Sequence, residues 1–373
     1  FGQEKAPWAM LLTGFIISIP VFLDVALVIL APLLYALARD TKKSVLVFGL
    51  PLVAGMAVTH AFVPPTPGPV AVAYFLNVNL GYVIGFGVLV GLPTAIICGP
   101  FLCSRMAKLV EVTTPTDQGE DLTREEKKLP SFLQIASLIA LPIALILAGT
   151  IVEQSAISGI DPGLTKAERN AQVADILNSM PTTNQVIHFL GHPVIALMIS
   201  TLLAIFFLGI SRGTSKEDLV EISTKALGPA GIIILITGAG GVFKGVLIAT
   251  GIADALKEVF IGSPIPIIVL AYIFATLVRI AQGSATVAML TAAGLMASFV
   301  EGFTQPYLAL IACAIAAGAT GFSHVNDSGF WMISRYLGMT EKQTLKTWTV
   351  ISTAISLVSF GIILILSLFI PMK

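Results

Sequence analysis

Apolar segments of roughly 20 residues or more, the length that a helix needs to cross a bilayer, make up most of this chain. Hydrophobic residues account for 56% of the sequence and charged residues for 11%, whereas a soluble domain carries about 25% charged residues. The composition excludes an ordinary soluble protein and predicts an all-α polytopic membrane protein, since helices satisfy their own backbone hydrogen bonds in lipid. The apolar segments lie at 8–38, 44–75, 80–103, 131–152, 184–210, 221–250, 264–300, 305–334 and 346–371.

Two strongly polar stretches interrupt these segments, THAFVPPTPGP from Thr59 to Pro69 and TGFSHVNDSGFW from Thr320 to Trp331. Prolines in the first remove backbone donors and prevent a continuous helix. The second places hydroxyl, amide, carboxylate and imidazole groups close together. A bilayer tolerates such backbone only where it lines a cavity or is buried in protein. The two breaks therefore predict a transport site, and the helices that begin after them would direct positive dipole ends at an anion.

Lysine and arginine concentrate in a subset of the loops, which should face the cytoplasm. On that assignment segment 8–38 enters from the cytoplasm and returns to it, whereas segment 264–300 enters from outside and returns there. Both would be re-entrant helical hairpins of opposite orientation, which is typical of inverted-topology repeats. The basic loops lie at 39–43, 105–128, 212–225 and 335–346, and the loops expected outside lie at 153–185 and 251–263.

Each half of the chain then consists of a hairpin followed by a broken transmembrane helix. Two apolar segments, 184–210 and 221–250, precede the second hairpin, and nothing ahead of Pro7 corresponds to them. We therefore expect this sequence to be a fragment whose N-terminal helices are missing. The predicted first repeat occupies 1–110 and contains hairpin 8–38, broken span 44–75 and span 80–103. Residues 111–183 form a cytoplasmic linker, the connecting span 131–152 and an external loop. The predicted second repeat occupies 184–373 and contains hairpin 264–300 and broken span 305–334.

Charged residues at Asp24, Lys244, Arg279 and Asp327 fall within apolar sequence. An isolated charge at bilayer depth costs about 2.5–3.5 kcal/mol on insertion scales, so each should pair or contact ligand or water. The two bases could form fixed ion pairs, reach an interface, or supply positive potential to a substrate. The two acids and His60 are the candidate proton carriers. Neutral, hydrogen-bonded packing is an equally open role for the histidines.

Polar side chains suited to a polyol and its carboxylate occur at the second hairpin tip and at both breaks. Small and hydroxylated residues in the tip sequence QGSATVAM allow hydrogen bonds to a ligand, although close helix packing would use the same residues. The cysteines show no metal-binding or disulfide spacing, and no nucleotide-binding motif occurs, so we expect no metal site and no nucleic-acid partner. The predicted substrate-binding residues are Thr66, Lys244, Gln282, Ser284, Thr286, Ser323, His324, Asn326 and Ser328.

Several of these motifs together resemble the gluconate permease family of gluconate:proton symporters, over essentially the whole chain. The most specific element is GFSHVNDSGFW at 321–331, and the others are VPPTPGP at 63–69, GAGGVFK at 238–244, QGSATVAM at 282–289 and the stretch around Thr347-Trp348. The resemblance implies a multi-pass symporter of the bacterial inner membrane, in contact with lipid, for gluconate or a related sugar acid or hydroxy-carboxylate. It also implies coupling to the proton motive force without another cofactor, inverted repeats, a homodimer and an elevator-like movement, as in the ion-transporter superfamily.

Two other functions remain open from the residues alone. A cation:proton antiporter of the same superfamily would also have paired acids and unwound helices, but hydroxyl and amide groups outnumber carboxylates at these breaks. An intramembrane hydrolase could be assembled from Ser323, His324 and Asp327, although these residues are close in sequence and no GxSxG elbow occurs. We therefore expect a transporter and not an enzyme.

Overall fold

The structure is a computed structural model that describes residues 5–19, 22–110, 112, 130–157, 166–225, 227, 231, 235, 238, 242, 246, 265–300 and 302–372. Regular secondary structure in these residues is helical throughout. Most of segment 221–250, including Lys244, lies outside them. Within these described residues, five helical stretches are long and apolar enough to cross a bilayer, as expected for a polytopic α-helical membrane protein. They are Leu46–Leu76, Leu80–Ala107, Leu133–Glu153, Pro193–Arg212 and Glu341–Ser367.

The described residues fold into two units by packing. The first contains residues 1–78, 85–124 and 233–373, and the second contains 79–84 and 125–232. These units are defined by packing alone, so the division into repeats stays a prediction.

The described helices are α1 (Ala6–Ile17), α2 (Leu23–Thr41), α3 (Leu46–Phe62), α4 (Pro67–Leu76), α5 (Leu80–Ile96) with a π-helical extension Ile97–Cys103, α6 (Ser104–Ala107), α7 (Phe132–Ile157), α8 (Lys166–Ser179), α9 (Thr182–Leu190), α10 (Pro193–Ala204) with short continuations Ile205–Gly209 and Ile210–Arg212, α11 (Ile267–Gln282), α12 (Ala285–Met296), α13 (Gln305–Thr320), α14 (Ser328–Tyr336) and α15 (Glu341–Ser367).

Helices α11 and α12 of the first unit are joined by the two-residue turn Gly283-Ser284. Helix α11 runs in the same direction as α13, because Tyr272 contacts Gly318 and, farther along both helices, Arg279 hydrogen-bonds to the Gly321 carbonyl. The intervening α12 therefore returns in the opposite direction. Its 12 residues make it about 18 Å long, shorter than the roughly 30 Å hydrocarbon core of a bilayer.

Helices α1 and α3 show the same parallel packing. Gly55 lies so close to α1 that a Cβ there would be 2.3 Å from the Leu11 carbonyl oxygen. One turn later in both helices, the Thr59 hydroxyl donates a 2.8 Å hydrogen bond to the Phe15 carbonyl. Helix α2 therefore brings the chain back from the end of α1 to the start of α3.

The two broken helical spans, α3 with α4 and α13 with α14, run in opposite directions within the first unit. The start of α3 lies at the end of α14, where a Cβ at Gly49 would be 2.3 Å from the Leu337 side chain. The start of α13 lies at the end of α4, where the Gln305 side chain donates a 3.2 Å hydrogen bond to the Asn77 carbonyl. These reciprocal contacts place the two breaks in the interior of an antiparallel pair of spans.

The second unit is built mainly on α7 and α10. Ile84, Ile146 and Ala196 form its buried apolar cluster. Gly149 and Gly191 approach each other so closely that a Cβ on either would meet backbone atoms of the other. None of the described residues in this unit was predicted to bind substrate or carry a proton, so the described part of the candidate site is confined to the first unit.

Candidate functional site

Arg279, in the last turn of α11, forms a buried ion pair with Asp327. The arginine is 3% exposed, and its Nη2 lies 2.5 Å from Oδ2 of the carboxylate. The same guanidinium donates through Nε to the Gly321 carbonyl at 3.2 Å and through Nη1 to the Gly283 carbonyl. The sequence allowed this arginine to form a fixed ion pair, to reach an interface or to face a substrate. In the structure it forms the fixed ion pair.

The turn of the α11–α12 hairpin is seated on the second break. Gly283 adopts φ +88°, and a Cβ there would lie 2.2 Å from the Asn326 carbonyl oxygen. Only glycine combines that backbone conformation with such a close approach. The Asn326 side chain donates to the Ile280 carbonyl at 2.9 Å, and Nε2 of His324 lies 3.2 Å from the same oxygen. Hairpin turn and break therefore form one hydrogen-bonded assembly.

Asp327 is both the ion-pair partner and the N-cap of α14. Its Oδ1 accepts a 2.9 Å hydrogen bond from the Gly329 amide, as an N-cap carboxylate does. Its Oδ2 accepts from the Ser323 hydroxyl at 2.5 Å in addition to the arginine. Phe322, just before this sequence, has φ +52°, a left-handed conformation that is unusual for a bulky residue and typical of functional segments.

Ser323 is buried, and α15 holds it in place. Its amide donates to the Ser352 hydroxyl at 3.3 Å, and its carbonyl accepts from the Thr349 hydroxyl at 2.5 Å. Its own hydroxyl accepts a 2.8 Å hydrogen bond from Nε1 of Trp348. These α15 residues were not predicted as part of the site. The signal available in the sequence is the recurrence of hydroxyl residues along this span, and the structure buries Thr344, Ser352, Ser356 and Ser359 on one face of α15.

Several predicted substrate-binding residues are accessible around this assembly. Gln282, Asn326 and Ser328 are exposed, and Thr286 and His324 are partly exposed. Ser284 is also partly exposed and is the N-cap of α12, where its hydroxyl accepts a 3.4 Å hydrogen bond from the Val287 amide. The structure therefore brings hydroxyl, amide and imidazole groups from the hairpin and the second break to one place.

Asp24 lies in the first turn of α2 and is exposed. Its carboxylate is close enough to that of Asp327 for the two to interact electrostatically. Helices α2 and α14 run parallel from these two acids, and near their ends the Tyr35 hydroxyl donates to the Tyr336 carbonyl at 2.9 Å. Among the described residues, the Asp24 side chain forms no hydrogen bond or ion pair.

The first break is held mostly by its own residues. Thr66 is buried and donates to the carbonyls of His60 and Val63 at 3.0 and 2.9 Å. The ring of His60 lies beside Phe22 with centroids 5.8 Å apart, and its Nδ1 is buried without a hydrogen-bond partner. After the break, the first turn of α4 packs on α12, where a Cβ at Gly68 would meet the Met289 sulfur.

The contacts described above bring together the N-terminal ends of α2, α4, α12 and α14. The α12 and α14 ends meet through Gly283 and Asn326, the α2 and α14 ends through Asp24 and Asp327, and the α4 and α12 ends through the first turn of α4. Each helix N-terminus carries partial positive charge. The number of amide donors differs among the four ends, because Pro67 and Pro69 of α4 have no N–H and the Val287 and Gly329 amides are bonded to N-cap side chains. The arrangement therefore suits an anionic ligand with hydroxyl groups.

Two chemistries other than transport, hydrolysis and metal binding, can be compared with this geometry. The Ser323 hydroxyl donates to Asp327, and His324 is bonded to the Ile280 carbonyl, so the serine–histidine relay of a hydrolase is not formed. In the part of the chain that the structure describes, no group of three or more His, Cys, Asp or Glu residues could hold a metal ion.

Comparison with known proteins finds relatives along nearly the whole chain. The sequence profile described as GntP family permease matches residues 1–369. A gluconate permease of Bacillus subtilis (strain 168) is 35% identical over 375 residues, which cover 99% of this chain and 79% of the relative. The low-affinity gluconate transporter of Escherichia coli (strain K12) is 37% identical over 360 residues, 96% of this chain and 76% of the relative. The Gnt-II system L-idonate transporter of the same strain is 32% identical over 360 residues, with the same two coverages.

Proposed function

The chain belongs to the GntP family of permeases, and on that premise we propose that it takes up gluconate or a related sugar acid with protons across the bacterial inner membrane. Relatives named for gluconate and for L-idonate support a sugar-acid substrate. The observation that carries the proposal is the meeting of four helix N-termini at one cluster of exposed hydroxyl and amide groups.

The substrate carboxylate would bind to amide groups at these helix ends and not to a free arginine. Arg279 is already bonded to Asp327 and to two carbonyl groups, so its charge is neutralised within the protein. Partial charges at helix N-termini supply the remaining positive potential. Lys244 stays a candidate outside the described residues.

The substrate hydroxyl groups would be recognised by polar side chains that are accessible and not fully used by the protein. Ser284, Thr286, Asn326 and Ser328 meet that description, and Gln282 and His324 border them. The hydroxyls of Thr66 and Ser323 are buried and bonded to protein, which favours a supporting role for both.

Proton coupling is assigned to Asp24 among the three candidates. Asp327 accepts hydrogen bonds from three donors, including a guanidinium, so both of its oxygens are already engaged within the protein. His60 has a buried Nδ1 and lies behind Phe22. Asp24 is exposed, is unpaired among the described residues and lies within electrostatic range of a second acid. These properties suit a group that takes up a proton during transport, because a nearby negative charge favours the protonated form.

The transport cycle would use two re-entrant hairpins in inverted repeats. The parallel packing of α1 with α3 and of α11 with α13 supports the hairpins, and so does the short length of α12. The reciprocal contacts Gly49–Leu337 and Asn77–Gln305 support the inversion. The elevator-like movement and the homodimer belong to the same proposal and follow from the family resemblance alone.

A cation:proton antiporter needs carboxylates that are free to exchange a cation for a proton. Asp24 and Asp327 are neighbours, but the second is neutralised by Arg279, which leaves a single free carboxylate. The site therefore favours symport over the antiport alternative.

The test is uptake of labelled gluconate into liposomes that contain the purified protein. An inward proton gradient should accelerate uptake several-fold, and a proton ionophore should abolish that acceleration. A sodium gradient at equal pH on both sides serves as the control and should have no effect. An uptake rate that does not change with the proton gradient would refute symport. Absence of uptake of both gluconate and L-idonate would refute the substrate class.

A further inference from the structure

We propose that Trp348 is a positioning residue, which acts through Ser323 to fix Asp327 and thereby the hairpin turn on which substrate binding depends. The inference rests on the proposed function, because it concerns the same site. Trp348 lies on α15, away from the groups that would touch the substrate, and is 4% exposed. It has no part in the ion pair itself.

The chemistry of the indole group makes the direction of this hydrogen-bond chain unambiguous. An indole Nε1–H can only donate, whereas a serine hydroxyl donates one hydrogen bond and accepts others. Trp348 donates to the Ser323 oxygen at 2.8 Å, so the hydroxyl proton of Ser323 must point elsewhere. It points to Oδ2 of Asp327 at 2.5 Å. The carboxylate can only accept, so the serine is its donor, and the hydrogen bond from Trp348 fixes the orientation of the serine hydroxyl toward the carboxylate.

The other polar groups of Ser323 allow no alternative arrangement of its backbone. Thr349 and Ser352 bind its carbonyl and its amide, and Trp348 binds its hydroxyl, so three residues of α15 contact all three polar groups of the serine. Oδ2 of Asp327 thus receives the serine and Arg279 together. The arginine in turn binds the Gly283 carbonyl of the hairpin turn.

Removal of the indole donor should act over this chain of contacts. In Trp348→Phe the aromatic ring remains in its packed position, but the Ser323 hydroxyl is free to rotate. Asp327 then loses an oriented donor, and the hairpin turn loses part of its anchor. Because Ser284 and Asn326 belong to that turn and break, the affinity for the sugar acid should fall although no substrate contact has been removed.

A double-mutant cycle separates positioning from packing. Gluconate affinity and the midpoint of thermal unfolding are measured in detergent for the unmodified chain, Trp348→Phe, Ser323→Ala and the double variant. We expect Trp348→Phe alone to weaken binding about tenfold, the order expected when a buried donor to a charged network is lost. In the Ser323→Ala background the same substitution should change affinity and midpoint by much less.

Equal effects of Trp348→Phe in both backgrounds would overturn the inference, since they would show that the ring acts by packing alone. So would an unchanged affinity in the single variant. A packing role alone would also lower the unfolding midpoint without coupling to Ser323. Trp8→Phe is the matched control, because Trp8 lies in α1, packs on Phe101 and is exposed. It should leave the affinity unchanged.

Failure of the proposed function gives a different result. If the unmodified chain binds no sugar acid, the substrate class is wrong, and the cycle is then decided by the unfolding midpoints alone. Coupling between Trp348 and Ser323 in those midpoints would retain the positioning role, whereas additive midpoints would refute it.

Discussion

The guanidinium of Arg279 and the carboxylate of Asp327 lie 2.5 Å apart, between Nη2 and Oδ2, although 48 positions separate the residues in sequence. The arginine belongs to the hairpin α11–α12, and the aspartate begins the second half of a broken helix. A buried pair of this kind contributes little net stability but is costly to split. Its effect is to fix the hairpin turn against the break.

Removing one partner of the pair should therefore lower the stability of the fold more than removing both partners. Arg279→Ala leaves a buried, unpaired carboxylate, which should cost about 3–5 kcal/mol. Arg279→Gln combined with Asp327→Asn removes both charges and should recover a substantial part of the loss. The measurement is the midpoint of thermal unfolding of purified protein in detergent. Arg105→Ala, at an exposed arginine of α6, is the control and should change the midpoint little. An Arg279→Ala protein as stable as the unmodified chain would contradict the role of the pair.

Gly283 should not tolerate a side chain. Gly283→Ala would place a Cβ 2.2 Å from the Asn326 carbonyl oxygen and would also require alanine at φ +88°. Gly302 is a matched control, because it has φ +82° but nothing within 4 Å of a Cβ. Gly302→Ala should show only the backbone cost, about 1 kcal/mol, whereas Gly283→Ala should lose clearly more stability and most gluconate uptake. Equal effects of the two substitutions would mean that the turn is not seated on Asn326.

Asp24→Asn should uncouple uptake from the proton gradient and leave the fold intact. The side chain is exposed and without a partner among the described residues, so its stability effect should stay within about 0.5 kcal/mol. Gluconate exchange without a gradient should persist, while acceleration by an inward proton gradient should disappear. The measurement is uptake into liposomes at a series of internal and external pH values. Asp40→Asn, at an exposed acid on the same helix, should respond as the unmodified chain does. Retained gradient dependence would remove Asp24 as the proton carrier.

Ser328→Ala should weaken substrate binding without changing stability. Ser328 is exposed at the first position of α14, so its hydroxyl is available to a ligand. Loss of one hydrogen bond to a polyol should raise the dissociation constant about 2- to 12-fold. Isothermal titration with gluconate and a thermal unfolding scan of the same sample give both quantities. Ser137→Ala, at an exposed serine of the second unit, is the control. Unchanged affinity for Ser328→Ala would exclude this serine from the site.

The helices and their interruptions follow from local sequence, which is why they could be predicted. Long apolar segments imply spans, and the prolines of VPPTPGP end α3 and begin α4. Gly283 between apolar stretches marks the hairpin turn, because glycine readily adopts positive φ. Each of these signals depends only on residues that are close in sequence, so a single sequence is enough to predict the helices and their interruptions.

The partners within the site are a tertiary property and could not be read from the chain. The ion pair of Arg279 was one of several roles that its sequence surroundings allowed. Trp348 lies in a stretch that carried the family resemblance, and Ser352 looked like an ordinary residue of a membrane span. Neither position revealed a contact with Ser323, because that contact depends on how α15 packs. The proximity of Asp24 to Asp327 likewise requires α2 and α14 to lie side by side.

The two breaks differ in how their polar groups are satisfied, and this difference sets an order of assembly. Thr66 bonds to carbonyls only three and six positions away, so the first break can be stabilised as soon as it is synthesised. The second break needs Trp348 and Ser352, which follow Ser323 by 25 and 29 positions. It therefore stays incomplete until α15 leaves the ribosome and inserts, so a helix that is synthesised after the break completes the site during biogenesis.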